Sequence, residues 1–327
     1  MQHARSLRLP EWPCAGASEP HTPELAAAVS LITGEPIARA QALLQYSMQQ
    51  TNAFQRDYDW LTAHTWAQTQ RHIERCALPQ SAELHTALQG IDRPVILACS
   101  HAGNYLTGLL RLLTELPDVQ ALTMIKRPAA SEREQRLHAH VARLGIDVQV
   151  LRIAERPLLR ALEALRQQRH VALMVDVPPS FGVTGLAPVQ LFDHPAHMPE
   201  GPAALAVAGR ALLLPITVHR AGVSHAVRLG ALIDAAPHGQ EDRRSATQRV
   251  HRALASQLVH WLRAWPESWM LWPHLPSYFA NREPSQRHIQ RQQHAGAGKN
   301  ASATVESPPP HTGPSNGRLS TDAPAGP

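Results

Sequence analysis

Short apolar runs alternate, along the middle of the chain, with segments in which apolar residues recur every three to four positions. The runs predict buried strands at 95–99, 121–125, 147–151, 170–176, 211–219 and 225–233. The periodic segments predict helices at 106–116, 131–144, 157–168, 202–209 and 241–262. This alternation predicts an α/β fold with a mostly parallel or mixed central sheet flanked by helices, in a domain covering residues 91–280.

The N-terminal part has a different pattern. Residues 1–21 are rich in proline and small residues and predict an irregular lead-in, whereas residues 22–90 have helical spacing. Thr22 is placed to cap a first helix, with Pro23 at its first position. Gly34 and Pro36 predict a break between two helices.

The C-terminal part, residues 281–327, is polar and rich in proline. Such a composition cannot bury enough apolar surface to offset the entropy of ordering, so it predicts a disordered tail.

Composition limits the partners without identifying one. The chain has 327 residues, of which 31 are basic and 26 acidic, so its formal charge is +5. This excess predicts mild attraction to phosphates, acidic carriers or anionic lipid surfaces, and no nucleic-acid partner, because no dense basic tract is present.

The cysteine count and the apolar runs bear on compartment. Cys14, Cys76 and Cys99 are far apart and form no metal-binding or disulfide pattern, which favours a reducing compartment. The sequence has no apolar run of the length that a spanning helix or a signal peptide needs. We therefore expect a cytoplasmic protein, and peripheral contact with the cytoplasmic face of the inner membrane stays open.

The segment from Ser100 to Tyr105 follows the first predicted strand and carries the best candidate chemistry. Ligands collect at the carboxyl ends of strands in open α/β sheets. His101 is there a candidate general base, and Gly103 would let a substrate approach the backbone. The alternative is a turn in which His101 serves only as a structural hydrogen-bonding group.

Several segments together resemble one family, the late acyltransferases of lipid A biosynthesis (lauroyl and myristoyl acyltransferases), with their phosphatidylinositol mannoside acyltransferase relatives. SHAGNYL resembles the family's H-x-G-N-W-E element, and IKRP its Y-R-P strand end. VALMVDVPPSFG places Asp176 at the family's aspartate. VQLFDHPAHMPEGPAALA and PESWMLWPH resemble two further elements, in the family's order.

The resemblance implies transfer of a fatty acyl chain from an acyl carrier protein thioester, or from acyl-CoA, to a hydroxyl of a glycolipid or other lipid acceptor. It implies no cofactor and no metal. His101 would be the base, and Arg127 would stabilise charge on the carbonyl oxygen or contact a phosphate. Asn104 would fix the loop or contact substrate, and Gly201 would open a helix whose N–H groups face an anionic group or simply begin the helix.

The main departure from the family is Leu106, because the family has an acidic residue at that position, five after the histidine. Three explanations are open: Asp176 approaches His101 and replaces the acid, the donor or acceptor is unusual, or catalysis is lost and only lipid or carrier binding remains. Two further departures leave open a secondary metabolite or pigment as the acceptor. The LFD segment (191–193) is altered where the family has a loop that would shape the substrate pocket, and no N-terminal anchor of the kind common in the family is visible. The tryptophans between 261 and 272 indicate core packing more than an interfacial face.

Overall fold

A seven-stranded mixed sheet forms the centre of the protein. The computed structural model describes residues 22–89, 91–116, 119–126, 132–152, 157–221 and 224–279. The strands of this sheet are β1 (Val95–Cys99), β2 (Ala121–Lys126), β3 (Asp147–Arg152), β4 (His170–Met174), β7 (Leu212–Ala221), β8 (Ser224–Leu229) and β9 (Ile233–Asp234). Their order is β3-β2-β4-β1-β7-β8, with β9 also paired to β7, and the first five are parallel. The predicted fold class is confirmed.

Nine α-helices in the described residues surround this sheet. They are α1 (Pro23–Thr33), α2 (Ile37–Ala63), α3 (Trp66–Glu74), α4 (Ser81–Leu88), α5 (Tyr105–Glu115), α6 (Glu132–Ala142), α7 (Pro157–Arg166), α8 (Gly201–Gly209) and α9 (Arg243–Ala264). The Thr22 hydroxyl accepts the N–H of Leu25 at 3.3 Å, and Gly34 ends α1 with a left-handed backbone. The predicted cap and helix break are therefore confirmed.

The central strands are buried on both faces. Val95, Leu97 and Cys99 of β1 pack on the side of α5 and α6, whereas Ile96 and Ala98 pack on the side of α7, α8 and α9. Successive side chains of a strand point to opposite faces, so a continuous apolar run is what a strand between two helix layers requires.

A third apolar cluster joins the N-terminal helices to the C-terminal segment of the described chain. Ile32 and Leu44 of α1 and α2 pack in one cluster with Trp269, Trp272 and Tyr278. Both tryptophans are 1% exposed, and Trp261 is also buried, so these rings do not form an interfacial face. The preferred expectation of core packing is confirmed for these three.

A second, two-stranded sheet was missed at the sequence level. Strands β5 (Leu186–Leu191) and β6 (His194–Pro199) form an antiparallel hairpin whose turn is Phe192 and Asp193, both with positive φ. Such turns favour glycine and asparagine, and prolines usually argue against strands, so the sequence carried no hairpin signal. The LFD segment is thus a strand end and a turn, and Phe192 is buried in the third cluster.

The predicted strand 225–233 is interrupted. Strand β8 ends at Leu229, and the N–H of Gly230 donates to the carbonyl of Pro215 at 2.9 Å before β9 begins at Ile233. A Cβ at Gly230 would lie 2.8 Å from the Gln257 amide oxygen and 3.0 Å from Cβ of Pro215, so the chain packs closely at this turn.

Three sequence predictions concern residues outside the described ranges: the lead-in 1–21, the tail 281–327 and Arg127. Among the helices that the structure does describe, none combines the length and the apolar character that crossing a bilayer requires.

Helix α5 lies so close to β7 that Gly108 has no room for a side chain. A Cβ there would sit 2.3 Å from Cγ2 of Val218. We expect Gly108→Ala to lower the free energy of unfolding by about 1–3 kcal/mol, because overpacking outweighs the gain in helix propensity. Chemical denaturation measures this.

The control is the Gly108→Ala/Val218→Ala double variant, in which the new methyl group occupies the vacated space. Its loss of stability should be smaller than the sum of the two single losses. A Gly108→Ala protein more stable than wild type, as propensity alone would predict, contradicts this packing.

Candidate active site

The sheet register brings two strand ends together. In the pairing of β1 with β4, Cys99 lies opposite Met174, and the N–H of Val175 donates to the carbonyl of Cys99 at 2.9 Å. His101 follows the end of β1 by two residues, and Asp176 follows the end of β4 by two. Because the strands are parallel neighbours, both side chains emerge at the same edge.

His101 and Asp176 are in direct contact. Nδ1 of His101 lies 2.7 Å from Oδ1 of Asp176, and the backbone N–H of His101 donates to Oδ2 at 2.8 Å. The Asp176 side chain is fully buried, whereas that of His101 is 21% exposed. A carboxylate oxygen accepts, so in the neutral ring Nδ1 carries the proton and Nε2 has the free lone pair.

The C-terminal segment holds Asp176 from the other side. The indole N–H of Trp269 donates to Oδ2 of Asp176 at 2.8 Å, and the Tyr278 hydroxyl donates to the Asp176 carbonyl at 2.6 Å. The buried carboxylate therefore accepts from the His101 ring, the His101 backbone and Trp269. A buried charge is tolerable only with such partners.

Gly103 gives the loop its shape. Its φ is +52°, and a Cβ would sit 2.6 Å from the Val218 carbonyl oxygen. Its N–H donates to the carbonyl of Ser268 at 2.7 Å, and the N–H of Met270 donates to the carbonyl of His101 at 2.9 Å. Position 103 therefore requires glycine because the loop packs closely against β7 and against the segment after Pro266.

Asn104 is buried at 1% exposure and ties the loop to two helices. Its side-chain oxygen accepts the N–H of Thr107 at 3.1 Å and so caps α5. Its amide donates to Oδ2 of Asp57, on α2, at 2.7 Å. Of the two roles expected for Asn104, these contacts support fixing the loop.

Leu106 is a core residue. It is 6% exposed and belongs to the cluster between the sheet and α5. The carboxylate that contacts the histidine is that of Asp176, which approaches it from the neighbouring strand.

A second histidine, His274, lies near His101. Nδ1 of His274 is 3.1 Å from the Ser180 hydroxyl, and the Phe181 ring meets the His274 ring edge-on at 4.7 Å. Burial lowers the pKa of His274, and the nearby His101 lowers it further. His274 is therefore uncharged at neutral pH.

An aromatic pair flanks His101. The ring of Tyr105 meets that of His101 edge-on at 5.7 Å, and Phe54 of α2 stacks on Tyr105 at 4.5 Å. Burial raises the pKa of Tyr105, so its hydroxyl stays protonated at neutral pH. Helix α2 thus lies beside the site.

The remaining predicted residues are not joined to this pair. Arg127 lies outside the described residues. Gly201 begins α8 and faces Leu158 of α7, and no hydrogen bond or ring contact within the described residues links it to His101 or Asp176. The described residues also hold no cluster of three or more groups suited to a metal ion.

Sequence reasoning missed the roles of Trp269, Tyr278 and Asp57. Trp269 lay within PESWMLWPH, where it was interpreted as core packing. A tryptophan inside a motif that also contains polar residues could have signalled a hydrogen-bond donor. Nothing near Asp57 in the sequence distinguished it from other charged residues of α2.

Comparison with family models matches residues 59–274 to the family described as bacterial lipid A biosynthesis acyltransferase. The match covers well over half of the chain and includes His101, Asp176, Trp269 and His274. A search among curated proteins finds no match.

The environments of Cys76 and Cys99, the two cysteines in the described part of the chain, keep both thiols protonated at neutral pH. Burial raises the pKa of Cys99 to about 12, and Asp176 adds to this shift; burial raises the pKa of Cys76 to about 11. We expect neither thiol to react with iodoacetamide in the folded protein at pH 7.5, because only the thiolate attacks. Mass spectrometry of the labelled peptides measures this.

The same labelling in urea is the control, and both cysteines should then react. Rapid labelling of Cys99 in the folded protein would contradict its buried, protonated state.

Proposed function

Because the chain belongs to the bacterial lipid A biosynthesis acyltransferase family, we propose that it moves a fatty acyl chain from a thioester donor to a hydroxyl of a lipid A-like glycolipid or another lipid acceptor. The proposed donor is an acyl carrier protein thioester, with acyl-CoA as the alternative. The contact of His101 with the fully buried Asp176 is the observation that carries this proposal.

His101 acts as the general base. With its Nδ1–H donated to Asp176, the lone pair of Nε2 takes the proton of the acceptor hydroxyl as that oxygen attacks the thioester carbonyl carbon. The C–O bond forms, the carbonyl π electrons move to its oxygen, and their return expels the thiolate. The imidazolium then gives its proton to the thiolate.

Asp176 supports the imidazolium that forms during attack. The carboxylate lies 2.7 Å from the ring and has no exposure to water, so its charge acts with little screening. His274 is neutral at pH 7 because burial lowers its pKa, and so it does not oppose the transient positive charge on His101.

The carbonyl oxygen needs a donor during attack. Arg127 stays our candidate for this, by its place in the family's strand-end element. The thiolate is a good leaving group, so the mechanism requires no strong acid.

Two alternatives follow from particular residues. Leu106 by itself favours a catalytically silent lipid- or carrier-binding homologue, and the Asp176 contact counts against it. The hairpin turn at Phe192 and Asp193, which departs from the family's pattern, favours a different acceptor such as a secondary metabolite or pigment intermediate.

The proposal predicts that both His101→Gln and Asp176→Asn lose acyl transfer. Removing a general base costs about 10²–10⁴-fold in rate. In Asp176→Asn the new amide would direct its N–H at Nδ1, so the ring proton would be on Nε2 and that nitrogen could not act as the base. The rate should fall about 10⁴-fold, as it does for the same change in the serine-protease triad. Single-turnover transfer from carrier-protein thioesters to membrane lipid extract measures both.

The matched control is His260→Gln, a change of the same type at an exposed position of α9, which should keep wild-type rates. Unaltered transfer in His101→Gln contradicts the mechanism. Donor and lipid binding without any turnover by the wild type would favour the silent homologue.

A further inference from the structure

A polar groove lies along α2, next to the site described above. It has a volume of about 460 Å³ and runs between α2, the end of β7 and the short 3₁₀ helix Pro266–Ser268. Arg39 and Arg56 of α2 and Arg220 of β7 line it, and Glu267 is the one acidic residue among the described residues of its lining. The groove therefore has an excess of positive charge.

Two arginines of this groove have unused donors. Within the described part of the chain, the side chains of Arg39 and Arg56 form no ion pair or hydrogen bond. By contrast, Arg93 and Arg249 each pair with a carboxylate.

Gln50 adds a further polar side chain to the groove. Gln50 lines the groove at 9% exposure, and its side chain has no hydrogen-bond partner among the described residues. Its amide is not one of the fully buried unpaired groups of the described residues, so it opens onto the groove and can donate to a ligand there.

The end of the groove at Arg56 adjoins the reaction centre. Arg56 directly precedes Asp57, which binds Asn104 of the loop that carries His101. On another wall, Glu267 precedes Ser268, whose carbonyl accepts the N–H of Gly103.

Arg220 belongs to this same end. Arg220 lies two residues beyond Val218 on β7, and the Val218 carbonyl oxygen lies against Gly103 of the loop that carries His101. Arg39 is 17 positions before Arg56, which at 1.5 Å per residue puts it about 25 Å away along the helix. Arg39 therefore marks the far end of the groove.

We propose that the end of the groove at Arg56 and Arg220 binds a phosphate ester carried by one of the two substrates. The guanidinium fork matches phosphate oxygens, and the Gln50 amide supplies a further donor along the groove. The phosphate belongs either to the phosphopantetheine arm of the carrier-protein donor or to a phosphorylated sugar of the acceptor. This inference rests on the proposed function for the identity of those substrates.

The test is equilibrium titration of the full chain with 4′-phosphopantetheine and, separately, with glucosamine 1-phosphate. We expect wild type to bind at least one probe, and Arg56→Gln and Arg220→Gln each to weaken that binding by about tenfold or more. Arg244→Gln removes the same charge from an exposed position of α9 outside the groove and should bind like wild type. Binding of neither probe, or unchanged affinity in both groove variants, overturns the proposal.

The probe that binds identifies the source of the phosphate. In the transfer assay Arg56→Gln should then raise the KM for that substrate about tenfold, with the KM for the other unchanged. Probe binding needs no turnover. If the groove variants weaken probe binding but wild type transfers no acyl chain, the proposed function is contradicted and the phosphate site in the groove is not. If wild type transfers the acyl chain but binds neither probe, only the proposed phosphate site is overturned.

Discussion

The buried carboxylate of Asp176 is the group on which the rest of the site depends. It has no exposure to water and is stabilised by donors from three places: the His101 ring, the His101 backbone and the Trp269 indole. Loss of any one would leave a buried charge short of a partner, so the loop after β1, the end of β4 and the C-terminal segment must be in place together.

The remaining contacts hold these three segments in position. Gly103 allows the loop after β1 to lie against Val218 and Ser268, and Asn104 ties that loop to α2 through Asp57. The N-terminal helices are thus part of the site, since α2 both supports the histidine loop and forms the wall of the arginine-lined groove. A strand-end pair in a rigid sheet suits a base that must keep one orientation through the reaction.

Much of the fold was predictable, because strands buried on both faces and amphipathic helices leave strong periodic signals. The hairpin β5–β6 was not, since its turn residues Phe192 and Asp193 and its prolines are unlike ordinary hairpin sequences. The approach of Asp176 to His101, one of the three explanations left open for Leu106, followed from the rule that parallel strand ends share one edge. The donors Trp269 and Tyr278 did not, because they come from a segment about a hundred residues away whose tertiary position no local pattern encodes.

The most direct test of this account is the protonation pattern of the His101 ring, measured by nitrogen-15 NMR of histidine-labelled protein and assigned with His101→Gln. The account predicts that the neutral form of the ring carries its proton on Nδ1 in wild type and on Nε2 in Asp176→Asn. A wild-type ring protonated at Nε2, or a pattern unchanged by Asp176→Asn, would contradict the claim that Asp176 orients this histidine for catalysis.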